Sequence, residues 1–430
     1  MLAILAQINE SQWWSQKAIE AQQYQQLSQL LKHAVTTTPY YNSIIPDHLH
    51  QRKLTPENWL SIPLLDRTTA RAQFDALQSN AVPAVHGPMK TSATSGSTGK
   101  PVRVKHTALS NAFEGAAILR YHHWHNRNFN ASLASIKRYR LPDSEELDYF
   151  QENWGWPVSD VYPSGPVGAI TLHHTVSEQA TWLRRMDPEY LLSLPSNLLA
   201  LIQHFEANNL SLPNLKNVST MMEVVSPELR KQCWDVWGVP IVDSYSCRET
   251  GTLAAQCPNH EHYHVVSENN FVEILRDDGT PCEPGETGRV VVTDLHNFAM
   301  PFIRYELGDY AELGDHCSCG RGLPVITRIH GRLRNMILLP DGDRIWPHMA
   351  RSSLAKIEYL KQYQFVQTEK DTIQANFVVS RPVSPEEEQE VVSILSARWR
   401  YPFKVVFNYP ESIATGAEGK IEDFRCEVDS

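Results

Sequence analysis

Apolar and polar positions change rhythm along this chain, and each change predicts a different kind of element. Residues 12–36 are rich in Gln, Ala, Leu and Lys, which predicts a long helix. It should end near Thr36-Thr37-Thr38-Pro39, because a proline cannot extend it. Tyr40-Tyr41 follows at once and reads as a packed corner. Val102-Arg103-Val104-Lys105 alternates apolar and basic, the period of a half-buried strand. From 107 to 240, helical stretches alternate with short apolar runs, which predicts an α/β core. Val239-Pro240-Ile241-Val242-Asp243 reads as a buried strand running into an active-site turn. From 263 to 310 the pattern turns to strands and turns. Phe271–Leu275, the Asp277-Asp278-Gly279 turn and Gly288–Thr293 predict antiparallel structure. After Gly331-Arg332 the character changes again: residues 386–400 read as helix, Phe403–Phe407 as strand, and the tail is Gly-rich and charged. The expected organisation is therefore a large domain over residues 1–332 and a small α+β domain over 333–430. No internal repeat and no low-complexity segment interrupts it.

Composition narrows the class. A chain of 430 residues exceeds one ordinary core. Hydrophobic content of 42% and charged content of 20% fit a soluble globular protein. A formal charge of −10 argues against a nonspecific nucleic-acid role. No apolar run approaches the roughly 18 residues of a membrane span. The first residues lack the basic start and long apolar core of a signal peptide. Seven cysteines, an odd number spread widely, fit a cytoplasmic protein with free thiols, some of them on a metal.

Residues 91–101 carry the strongest chemical signal: Thr-Ser-Ala-Thr-Ser-Gly-Ser-Thr-Gly-Lys-Pro. Backbone N–H groups of a Gly-rich turn form an anion-binding concavity, and hydroxyls and a lysine add donors and charge. Ser92, Thr94, Ser95, Gly96, Ser97, Thr98, Gly99 and Lys100 are thus candidate phosphate binders. This is not a Walker A loop, which needs four residues between its glycines and a Ser or Thr after the lysine. Here Pro101 follows Lys100 and pushes the chain toward extended geometry, so the loop leads into a strand. A flexible Ser/Gly linker is the plain alternative. A single lysine locked between glycine and proline speaks against it.

Three further segments are weak alone: Asp-Ser-Tyr-Ser-Cys-Arg-Glu-Thr-Gly at 243–251, Arg-Tyr-Glu-Leu-Gly-Asp-Tyr at 304–310 and Gly-Arg-Leu-Arg-Asn-Met at 331–336. In this order, with the hydroxyl-rich loop before them and Gly419-Lys420 after, they resemble the adenylate-forming superfamily. The nearer resemblance is to its phenylacetate–CoA ligase and coenzyme F390 synthetase group. It extends over nearly the whole chain, through Leu-Leu-Lys-His-Ala at 30–34, Pro39-Tyr40-Tyr41, Ile62-Pro63-Leu64, Leu194-Pro195-Ser196 and Pro301–Tyr305.

The resemblance implies a large α/β adenylation domain with a β-barrel-like part and a small α+β lid. It implies an ATP-dependent, AMP-forming ligase that activates a small carboxylic acid, an aryl acid among the candidates, and passes it to a thiol, coenzyme A first among them. It implies that Glu249 binds magnesium, that Asp309 and Arg332 hold the ribose and that Tyr245 stacks on adenine. Lys420 would neutralise charge during adenylation, while the loop holds the β- and γ-phosphates. It also implies a homodimer.

The chain departs from the family pattern at Arg248, at Arg334-Asn335 and around Lys420, where Glu418, Glu422 and Asp423 crowd the lysine. Two other outcomes therefore stay open: a non-CoA acceptor, such as an amine, a hydroxyl or a carrier-protein thiol, and a nucleotide-binding protein without turnover. Trp154, Trp156 and the His122-His123-Trp124-His125 run are candidates for an aryl pocket or for packed aromatic core. Glu223 is expected to serve structure or a pocket rim.

Cys257 and His264, with Cys317 and Cys319, supply three sulfurs and one imidazole, a common closed structural zinc set. The two halves lie 53 residues apart, a separation that suits pinning two β-segments together. His260, His262 and Cys247 compete as ligands.

Overall fold

The N-terminal helix begins later than its composition suggests, and a second helix precedes it. Leu2–Ser11 and Gln16–Thr37 are separate helices, and Ser15 caps the second by accepting from Ala18 N. Its buried stripe is Ile19, Gln23, Leu27, Leu30, Leu31 and Ala34, spaced three and four apart as one helix face requires. Gln23 is polar in that stripe because its amide donates to the carbonyls of Ser267 and Asn270. Tyr41 is a packed corner: its hydroxyl donates to Pro301 O and accepts from Ile303 N.

This computed structural model describes residues 1–46, 49, 53–94, 101–137, 148–172, 174–332, 336–341, 344–345, 357, 359–399, 401–413 and 424–428. The chain divides into two units: Met1–Val225 with Cys233–Ile329, and Ser226–Gln232 with His330–Ser430.

The larger unit holds two sheets and a hairpin. A six-stranded sheet runs in the order Asp148–Gln151, Val167–Thr171, Leu133–Lys137, Tyr190–Ser193, Asn217–Thr220, Ile241–Val242. All neighbours are parallel except the first pair. Val167–Thr171 is buried at every position, as a strand covered on both faces must be. The helices Val176–Met186 and Pro195–Ala207 supply crossovers. Together these elements form an α/β core.

A seven-stranded sheet runs in the order Asn270–Leu275, Thr287–Asp294, Tyr305–Leu313, Val325–Arg332, Tyr263–Val265, Gly251–Gln256, Ser244–Cys247. A side-chain hydrogen bond links its last strand to its third: the Tyr245 hydroxyl donates to Asp309 Oδ2 at 2.8 Å. Met89–Ala93 and Arg103–Thr107 form a separate antiparallel hairpin around the Gly-rich loop.

The smaller unit is α+β. Its four-stranded sheet has the order Lys404–Asn408, Thr372–Val379, Leu360–Glu369, Phe424–Cys426. The helix Pro385–Trp399 joins it through a core of Phe365, Phe377, Trp399, Phe403 and Phe424. Among the described residues, no helix is long and apolar enough to cross a membrane.

Candidate active site

Two carboxylates define the site, and the same two segments carry them. Tyr245 lies on Ser244–Cys247 and Glu249 on the turn after it. Tyr305 and Asp309 lie on Tyr305–Leu313. Tyr245 pairs with Asp309 at 2.8 Å, and the Tyr305 hydroxyl donates to Glu249 Oε1 at 3.1 Å. The segments thus oppose each other in antiparallel sense, with one carboxylate at each crossing.

Local backbone aims both acids. Asp309 follows Gly308, whose φ of +79° is a left-handed conformation that glycine adopts without strain. Opposite it the ladder to Thr287–Asp294 shifts between Arg289 and Val291. Such a bulge re-aims the residue it carries, here the half-buried aspartate. Glu249 is only 4% exposed. Burial, and next the Glu249 charge, pushes the Tyr305 phenol up, so it stays a protonated donor. The same two causes push the Cys247 thiol up, which makes it a poor nucleophile.

Arg304, in the Arg-Tyr pair, points into the protein. It holds a positive φ of 50°, unusual for a side chain with Cβ. Its environment compels it: Arg304 N donates to Thr293 Oγ1, and the guanidinium grips buried Glu273 at 3.0 and 3.2 Å. Its remaining donors reach Leu60 O and Ile62 O. Leu65 N then donates to Arg304 O, and Glu306 N donates to Leu65 O. Arg304 therefore fastens the segment that precedes Arg67 to the strand that carries Tyr305 and Asp309.

Arg67 was not singled out by sequence. Its guanidinium lies 3.5 Å from Glu249 Oε1 and 3.3 Å from Thr94 Oγ1. Thr94 closes the stem of the Gly-rich loop: Thr94 N donates to Val102 O, and Val102 N donates to Thr94 Oγ1, each at 2.9 Å. Ser92 sits on Met89–Ala93 with its hydroxyl buried and without a hydrogen-bond partner. Ser95 to Lys100, Lys420, Arg334 with Asn335, and the Arg332 side chain lie outside the described residues. The backbone of Arg332 ends the strand Val325–Arg332.

Other polar residues resolve into structure. Glu223 accepts from Ser196 N and Oγ at 2.8 and 3.0 Å, so its charge caps the helix Pro195–Ala207. The Trp154 indole donates to Ala131 O and its ring packs on Phe129 and Tyr190. Trp124 donates to Gln12, and the His125 ring meets Gln256 O. Trp156 is half exposed. Lys137 is held below the ordinary lysine range by burial first and the Arg248 charge second.

The cysteine–histidine set forms a second centre. One ligand atom from each of Cys257, His264, Cys317 and Cys319 lies within 4.8 Å of the others. Cys257 Sγ is 3.8 Å from Cys317 Sγ, and Cys319 Sγ is 3.3 Å from His264 Nε2. These separations suit a tetrahedron with metal–sulfur bonds of about 2.3 Å. Burial holds the His264 imidazole down to about 3, so it offers a neutral lone pair. His260 meets Ser318 Oγ and stacks on His262 outside this set, while Cys247 lies beside Thr250 and Glu249. Arg321 donates to Cys319 Sγ and to Gln12 Oε1, and Gly322 N donates to Gln12 O. A Cβ on Gly322 would meet Trp14 O at 1.8 Å, so only glycine permits this approach to the N-terminal turn.

No protein-family model matches the chain. Phenylacetate-coenzyme A ligase of Escherichia coli (strain K12) is 25% identical over 364 residues, 80% of this chain and 78% of that protein. The enzyme of the same name from Thermus thermophilus is 27% identical over 226 residues, about half of each chain (50% and 51%). Among solved structures, 2-hydroxyisobutyryl-CoA ligase in its postadenylation state with R3-HIB-AMP superposes with a TM-score of 0.73. That match has 18% identity and covers 94% of this chain and 89% of the other, a likeness of fold. With the α/β core, the seven-stranded sheet and the small α+β unit in place, the chain shares the fold of this CoA ligase and is similar in sequence to the two phenylacetate-coenzyme A ligases.

Proposed function

We propose that this protein is an ATP-dependent, AMP-forming acid–thiol ligase whose acceptor is coenzyme A. The observation that carries the reading is the pair of crossings that hold Glu249 and Asp309 on opposed segments beside the stem of the Gly-rich loop. The named relatives, which are acid–CoA ligases, support it. Asp309 accepts both ribose hydroxyls, joined by Arg332, and the Tyr245 ring lies against adenine. Ser92, Thr94 and residues 95–100 hold the β- and γ-phosphates. Glu249 holds magnesium, a hard cation that takes carboxylate oxygen and neutralises phosphate charge. The substrate carboxylate attacks the α-phosphorus and pyrophosphate leaves. The thiol then attacks the acyl carbon and AMP leaves. Neither step needs a protein nucleophile, so positioning and charge stabilisation are the protein's work. Residues 333–430 act as the lid, and Lys420 from it meets the developing charge.

Pyrophosphate exchange across a panel of aryl and aliphatic acids tests this. Exchange with at least one acid, followed by CoA-dependent AMP release, is expected. No exchange with any acid overturns adenylation, and exchange without CoA-dependent release moves the acceptor elsewhere.

Cys257, His264, Cys317 and Cys319 hold a structural zinc in this reading, since four protein ligands leave no open position. Metal analysis of protein purified without chelator should find about one equivalent. Less than about a tenth would overturn the assignment.

A further inference from the structure

Arg67 belongs to none of the motifs that suggested a nucleotide, yet it joins two of them. It opens the helix Arg67–Ala72, and its guanidinium spans from Glu249 Oε1 at 3.5 Å to Thr94 Oγ1 at 3.3 Å. Both contacts are long beside the roughly 2.7–2.9 Å of a good charge-assisted hydrogen bond. Its Nε is buried and has no partner. One turn along the same helix face, Arg71 has Nε and one terminal nitrogen buried without partners. Buried guanidinium donors left unspent are costly, and an anion is what relieves them.

The position is fixed from both sides. The Arg103 guanidinium lies 3.7 Å above the Phe74 ring, and Lys105 hydrogen-bonds Gln78, so the segment after Arg67 is docked on the outgoing strand of the hairpin. Arg304 fastens the segment before it. A planar fork held at the neck of a phosphate loop suits two oxygens of one phosphate chain better than a single carboxylate oxygen at 3.5 Å.

We propose that Arg67 is a binding residue for the β- and γ-phosphates of ATP, and for pyrophosphate, held in waiting by Glu249. This rests on the adenylating reading above. Glu249 Oε1, which would hold the magnesium of the proposed reaction, is the oxygen that the guanidinium faces at 3.5 Å, so a cation held there would leave Arg67 free for phosphate oxygen. Arg67 thus senses the part of the nucleotide that leaves and ignores the part that stays.

Calorimetric titration with magnesium ATP and with AMP, on wild type, Arg67→Gln and Arg67→Lys, tests this. In Arg67→Gln, ATP affinity should fall about 30-fold, in the range of a lost charged hydrogen-bond pair. The KM for pyrophosphate in exchange should rise by a similar factor, while AMP affinity stays within about twofold. Arg67→Lys should recover part of the loss, since the charge returns without the fork. Equal weakening of ATP and AMP in Arg67→Gln overturns the proposal in favour of a structural role, and unchanged ATP affinity overturns it outright. Wild-type protein that binds neither nucleotide overturns both this inference and the reading beneath it.

Discussion

The carboxylate site and the cysteine–histidine set are built to opposite plans. Glu249 is held by a phenol 56 residues away and a guanidinium 182 residues away, both at or beyond 3.1 Å. Each is a contact that an incoming ion can replace. The four ligand atoms of the other centre already lie within 4.8 Å of one another, and Arg321 donates to Cys319 Sγ at its edge. A site that must admit a ligand is held by exchangeable hydrogen bonds from distant strands. A structural metal site, as proposed for the other centre, has its whole donor set in place. The prediction is that damage to the first removes chemistry and spares the fold, whereas damage to the second does the reverse.

Glu249→Gln is the sharpest test of the first half. Pyrophosphate exchange should fall by about 10²–10³-fold, the scale of losing one preorganised stabiliser of developing charge. Its melting temperature should stay close to wild type, and wild-type exchange in this variant would refute the magnesium role. Cys317→Ser attacks the second half. Bound zinc should drop toward zero, and the melting temperature should fall by about 10 °C, because metal binding contributes directly to folding. Exchange per folded molecule should persist. A stable, metal-free and fully active variant would show that the centre is dispensable.

Tyr305→Phe is a gentler probe. It leaves packing nearly intact and removes one hydrogen bond to Glu249, worth about 1.5–3 kcal/mol when the acceptor is charged. Exchange should fall about tenfold. The smallest effect concerns acid. Burial holds the His125 and His296 imidazoles down to about 4. Between pH 6.5 and 4 the unfolded chain therefore binds more protons at these sites than the native one. Their contribution is fully present above 6.5 and is lost as pH falls toward 4. Asp294 pulls the other way, because burial pushes it up to about 7 and the native state keeps its proton more readily. The clean measurement is thus a difference: urea midpoints of wild type and His296→Gln at pH 7 and pH 5. Wild type should lose its advantage at the lower pH, and a constant gap would rule out this source of acid sensitivity.

Much of the fold was legible because it follows from local rules. Asn270–Leu275, Thr287–Asp294, Pro385–Trp399 and Lys404–Asn408 lie within a residue or two of the expected elements. Periodicity and turn chemistry act over a few residues and can be read there. The helix Leu2–Ser11 was missed because its apolar start passes into polar residues without a clear cap; Met1 provides no side-chain cap. In the site, Glu249, Tyr245 and Asp309 stood out as parts of short motifs. Arg304 stood beside them in sequence but serves the interior. Arg67, in an ordinary-looking Asp-Arg-Thr-Thr helix start, gave only the signal of an N-cap, and Asp66 does accept from Thr69 N.

The chain order alone sets out the candidate chemistry: a hydroxyl-rich loop ended by Pro101, two acids in short motifs, and three cysteines with a histidine. It also determined where strands and helices alternate, since backbone geometry answers to neighbours in the chain. Tertiary packing then set which groups meet. It turned Arg304 inward, brought Arg67 between Thr94 and Glu249, and separated His264 from His260 and His262 as the imidazole within reach of the three sulfurs. The reason is range. A hydrogen bond or a metal site is decided within about 3 Å in space, and packing, not proximity along the chain, sets which residues meet at that distance.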